Sequence, residues 1–149
     1  MKNLKDKSTR DELTARVNKL TPETKSVWGK MNSYQVLRHM TMGVLVATGD
    51  TKVAPVKLKM PKFLMKMFLI NFKPPREKAE TFPEMNLVKN GVIPTDFEAE
   101  RTNLKAAIEK AGTTPNFIPK NPMGIKLNSN EWGKLGYNHT DHHLRQFGV

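Results

Sequence analysis

The residues of this chain with the most chemistry to offer are its four histidines: His39, then His139, His142 and His143 close to the end. Imidazole nitrogen is a ligand for divalent transition metals. In the final stretch, EWGKLGYNHTDHHLRQFGV (Glu131–Val149), His139 and His143 stand at i, i+4. On a helix their Cβ atoms lie roughly 5–6 Å apart, and two rings so placed reach one ion at about 2.0–2.1 Å. An HxxxH pair alone is weak, because many helices carry one as hydrogen-bonded histidines along a polar seam. Spacing also leaves His142, at i+3 from His139, open as the partner.

The surrounding pattern adds weight. Trp132, Leu135, His139, His142 and Gln146 recur at spacings of 3, 4, 3 and 4, and Gly136, His143 and Phe147 form the adjoining row. That is the inward stripe of an amphipathic helix, with imidazoles where leucines usually stand. Asn128 with Glu131 supplies a capping pair at its start, and Gly148 can end it. His39 borders a second such stripe. Asn32 with Gln35 caps a helix reaching about Thr48, on which Val36, Leu37, Met40, Val44 and Ala47 trace the apolar face. Gly43 leaves space one turn beyond His39. A lone histidine there is ordinarily a satisfied core residue; the distant pair makes it a third candidate ligand.

Composition narrows the chemistry. Cysteine is absent, so any metal must be held by imidazole, carboxylate or water. The N-terminal MKNLKDKSTR has no apolar h-region, no run approaches the roughly 18 apolar residues of a membrane span, and a cytoplasmic protein is expected. The net charge of +11 raises nucleic acid as a partner. The 25 basic residues are spread along the whole chain, however, without a dense run or an aromatic ladder. A solvated basic surface accounts for them better.

Two further helices complete the set. Leu13, Val17 and Leu20 define one over residues 9–20, with Ser8 or Thr9 as cap. Thr95 with Glu98 opens another, carried by Phe97, Arg101, Leu104, Ile108 and Ala111 to Gly112. Trp28 reads as packing beneath the start of the second helix. Residues 50–94 form a long, proline-punctuated insertion expected to cover one end of the metal pocket; inside it Pro61–Phe72 (PKFLMKMFLINF) reads as a short apolar helix, packed across the bundle rather than acting as an interfacial membrane helix, a lid or a dimer contact.

Amphipathic helices without strand patterning specify an all-α protein, a four-helix bundle in one domain over 1–149. A short first connection and a long second one give an up-down-down-up order. At about 1.5 Å per residue, His39 lies roughly 10 Å inside its helix, and His139 and His143 lie roughly 12 Å and 6 Å from the end of theirs. Antiparallel packing of those two helices brings all three histidines to one level.

A histidine in the second helix, with HxxxH and a glutamine three residues later in the fourth, resembles the DinB-like (YfiT-type) superfamily. TPETKSVWGKMNSYQVLRHM and EWGKLGYNHTDHHLRQFG look like one of its families of unknown function. The resemblance implies an up-down-down-up bundle holding a divalent transition metal on His39, His139 and His143, zinc or nickel before iron or manganese. His142, Gln146 and Asn138 would lie around these ligands and orient them. It further implies a small-molecule substrate, with a low-molecular-weight thiol as co-substrate or else hydrolysis, and a homodimer. Tyr34 and Tyr137 are available as proton donors, although a structural role suits each better. Relatives often have histidine where Asn121 stands, a departure that bears on a loop contact. A non-catalytic helical binding module is the alternative from another class.

Overall fold

The computed structural model of the chain describes residues 2–72 and 81–149. Within them the fold is all-α: α1 (Lys7–Val17), α2 (Ser33–Val46), α3 (Lys62–Asn71), a 3-10 turn (Pro83–Met85), α4 (Phe97–Thr113) and α5 (Ser129–Gln146).

Side-chain caps set the starts of three helices. Asn32 Oδ1 accepts from the Gln35 N–H at 2.8 Å, and the Gln35 side chain accepts from the Asn32 N–H at 3.1 Å. Asn128 and Glu131 repeat this box at α5, both bonds at 2.9 Å. Each satisfies backbone donors that a helix start leaves without partners. At α4 the cap is Asp96 in place of the expected Thr95: its carboxylate accepts from the Ala99 N–H at 2.9 Å. The shift has a physical reason, since aspartate caps well and also sets a negative charge at the positive end of the helix dipole. Helix α1 likewise begins at Lys7 and ends at Val17, where 9–20 was expected. Its N-cap Asp6 makes no side-chain bond, and Leu20 lies in the turn beyond, fully buried all the same.

Four helices share one core. Leu13 and Val17 of α1, Leu37 and Met40 of α2, Leu104 of α4 and Leu144 of α5 are wholly excluded from solvent. Each such side chain contributes about 1.5–3 kcal/mol of transfer free energy. A second cluster joins the end of α2 (Val46, Ala47) to Ile70 of α3, Met85, Ile125 and Trp132 of α5.

Cross-links show which helix ends meet. Ile118 donates its N–H to the Ala47 carbonyl at 2.9 Å and accepts from Trp132 Nε1 at 3.0 Å, so the end of α2 lies with the start of α5. Opposite, the Val27 N–H donates to the Gln146 carbonyl at 2.7 Å, placing the approach to α2 beside the end of α5. Arg38 of α2 pairs with buried Glu100 of α4, and Asp50 just past α2 pairs with Lys110 near the end of α4. Arg10 near the start of α1 meets Glu109 late in α4. These contacts bring His39 level with the histidines of α5.

Candidate metal centre

The three histidines meet inside the protein. His39, His139 and His143 each offer a ring nitrogen, and these nitrogens all lie within 4.8 Å of one another, an arrangement that could hold a metal ion. Ring centroids are 5.1 Å apart for His39 and His139, 4.6 Å for His39 and His143, and 4.7 Å for His139 and His143. Gly43 makes room for the arrangement: a Cβ there would sit 2.2 Å from Cε1 of His139.

Hydrogen bonds fix two of the tautomers. His39 Nδ1 lies 3.0 Å from the Met85 carbonyl oxygen, an acceptor only, so Nδ1 carries the proton. His143 Nδ1 lies 2.8 Å from Gln146 Oε1. The amide orientation of Gln146 is set in turn by its Nε2, which donates to the Trp28 carbonyl at 2.8 Å. His143 is therefore also protonated at Nδ1, and in both rings Nε2 presents a lone pair. Nε2 of His139 stands 3.2 Å from Nε2 of His39. Two nitrogens on one tetrahedral ion at about 2.0–2.1 Å would be roughly 3.3 Å apart. His139 Nδ1 is buried and has no hydrogen-bond partner among the described residues, so nothing there competes for the ring's orientation. The donor set fits a divalent transition metal.

Electrostatics keeps the rings in the ligating form. Burial lowers the pKa of His39, and the charge of His142 adds to the shift, against the opposing bond to Met85. Burial drives His139 well below the usual imidazole value, reinforced by His143, His39 and His142. His143 is pushed down to about 3, by burial first and His39 next, with the Gln146 bond opposing. All three are neutral at pH 7, as metal binding requires.

The neighbours divide. Gln146 braces His143, as described. His142 is buried with its ring edge-on to His143 at 4.9 Å and to Trp28 at 6.1 Å. Asn138 reaches the other way, to the Leu69 carbonyl of α3 at 3.5 Å. Tyr34 packs edge-on against Phe97, and Tyr137 belongs to the main core. Asn121 organises its loop, its Oδ1 accepting from the Met123 and Ile125 N–H groups at 3.0 Å each. The carbonyls of Met85 and Trp28 are the braces that sequence reasoning missed. Backbone acceptors leave no signature in residue type.

A cavity of about 1430 Å³ takes in the histidines and is lined by residues of α2, α3, the 3-10 turn, Trp28 and α5 from Trp132 to Gln146. Met65, Phe68 and Leu69 of α3, with Phe72 just after it, line it, so the apolar helix read within the insertion borders the same cavity as the histidines.

Comparison of the chain with protein-family models, with curated proteins and with solved structures finds no match. Among the described residues no helix is long and apolar enough to cross a membrane.

Proposed function

We propose that this chain is a divalent-metal-binding protein of the DinB-like superfamily, a single-domain, up-down-down-up four-helix bundle that acts on a small molecule through an open tri-histidine site. The observation that carries the reading is the convergence of three neutral imidazoles, two of them with Nε2 exposed as a lone pair by bonds at Nδ1. The meeting of the end of α2 with the start of α5, and of the α2 and α4 starts, supports the topology.

His39, His139 and His143 would hold the ion, zinc or nickel before iron or manganese, with Met85 and Gln146 orienting two of the rings through their Nδ1 protons. Bound there, a divalent ion supplies Lewis acidity to a coordinated water, thiol or electrophile. Three protein ligands leave a coordination position for such a group. Apolar side chains, those of α3 among them, line the cavity around that position. Thiol-dependent transfer or hydrolysis is the reaction class this arrangement suits.

One observation favours a second reading. The 3.2 Å between His139 Nε2 and His39 Nε2 is also a hydrogen-bond distance, so one proton could tie the pair in a metal-free binding module. Elemental analysis separates the two. Untagged protein should carry about one transition metal per chain, and His39→Ala, His139→Ala and His143→Ala should each lose it with helical content retained. Wild-type metal content in any of the three would remove that residue from the ligand set.

A further inference from the structure

The lining of the cavity over the histidines is one-sided in two respects. Most of the wall is hydrocarbon, with Phe68 and Leu69 of α3, Phe72 just after it, Phe82 and both tryptophans of the chain, Trp28 and Trp132. Its charged lining has a single sign. Among the described residues no aspartate or glutamate lines it, whereas Lys30 and Lys89 do.

The two lysines have a definite relation to the histidines. Lys30 follows two residues after Trp28, whose carbonyl holds Gln146 and through it His143. Gly29 between them is pressed so close to Gln146 that a Cβ there would stand 2.2 Å from Nε2, which pins this loop at the histidine end. Lys89 lies in the turn over residues 87–91 that follows Met85, whose carbonyl holds His39, and its N–H is fixed by Asn86 Oδ1 at 3.1 Å. Each cation is therefore carried by a loop that braces one histidine. The imidazoles add to the imbalance, because three neutral ligands cancel none of the charge of a divalent ion.

We propose that the cavity binds an apolar anion: a molecule with a hydrocarbon or aryl body and one carboxylate-type head. The body lies along α3, and the head lies between Lys30, Lys89 and the tri-histidine cluster. The assignment rests on the histidine cluster being the working end of the site, while the lysines and the apolar wall act in the metal-free chain as well. Lys30 and Lys89 line the cavity but are exposed, so their pull on the head is that of partly solvated charges and weakens with salt, while its sign still favours an anion over a cation.

The two tryptophans report occupancy directly through their emission. Decanoate, decanol and decylamine share one chain and differ in the head, and acetate has the head without the body. Each is titrated into metal-free and zinc-loaded protein, with zinc content measured separately. Decanoate should bind at least about tenfold more tightly than decylamine in both forms, and acetate should leave the emission unchanged. The Lys30→Gln, Lys89→Gln double variant should bring decanoate close to decanol while decanol itself binds as before. Decylamine binding as well as decanoate, or no response to any of the three decyl compounds in protein of normal helical content, overturns the proposal. If zinc fails to bind while decanoate still outcompetes decylamine, the metal-centre reading falls and the anion site stands. If zinc binds and the preference is absent, the anion site falls alone.

Discussion

Gly43→Ala tests the geometry of the histidine cluster at a residue that touches no metal itself. A Cβ at position 43 would lie 2.2 Å from His139 Cε1, 2.6 Å from Nδ1 and 3.0 Å from Nε2. To regain an ordinary contact of 3.4 Å, the His139 ring must move by at least about 1.2 Å. Metal–ligand distances tolerate only about ±0.2 Å, so the displaced ring leaves the ion with two imidazoles. Changes merely to groups that orient a ligand cost about 10–100-fold in affinity; loss of a ligand should cost more than about 100-fold. Stability moves less. Alanine gains up to about 1 kcal/mol in helix propensity, against about 1–3 kcal/mol for overpacking, so the metal-free variant should lose no more than about 2 kcal/mol. Calorimetric zinc titration gives the first quantity and urea unfolding in chelator gives the second. A folded Gly43→Ala protein that binds zinc with wild-type affinity would refute the reasoning.

Gln146→Leu removes the acceptor at His143 Nδ1 and the donor to the Trp28 carbonyl. Zinc affinity should fall about 10–100-fold, whereas Gln146→Glu, which keeps an acceptor for the ring, should retain most of it; equal affinity in Gln146→Leu would show that the brace is idle. Acid should destabilise the metal-free protein. His143 titrates at about 3 in the fold and near 6.5 in the unfolded chain, so the unfolded state takes up the proton first and stability is lost as pH falls from about 6.5 toward 3. Between pH 7 and pH 5 the loss from His143 alone is on the order of 2 kcal/mol, with His39 and His139 adding in the same direction; a urea midpoint that holds steady or rises would contradict three buried neutral rings. At α4, Asp96→Ala should cost about 0.5–2 kcal/mol and Thr95→Ala only a few tenths, measured by thermal unfolding. The reverse order would return the cap to Thr95.

How far the sequence carried the fold depended on whether each signal lay in a side chain. Asn32 with Gln35 and Asn128 with Glu131 are reciprocal boxes, and both helix starts fall where that pairing put them. Asp6 caps without a side-chain bond, and the start of α1 was misplaced accordingly. Thr95 was read as the cap because Glu98 completes a box with it, whereas the adjacent Asp96 is the stronger single cap and takes the position. The meeting of His39 with His139 and His143 was legible because helical rise converts sequence position into depth. What holds the rings was not. The carbonyls of Met85 and Trp28 come from backbone whose path depends on the loops around α2, and loop paths follow from tertiary packing rather than periodicity. The apolar wall was half-visible: Pro61–Phe72 read as a helix and the insertion around it as a cover for the pocket, but which of its side chains line the histidine cavity required the fold.

The central claim is that one ion sits on three imidazoles, and anomalous diffraction from crystals of zinc-loaded protein tests it most directly. The expected result is a single strong peak per chain at the zinc edge, about 2.0–2.1 Å from Nε2 of each of His39, His139 and His143. A peak bound by His142 in place of His143, or no peak among the three rings in protein that has taken up zinc, would contradict it.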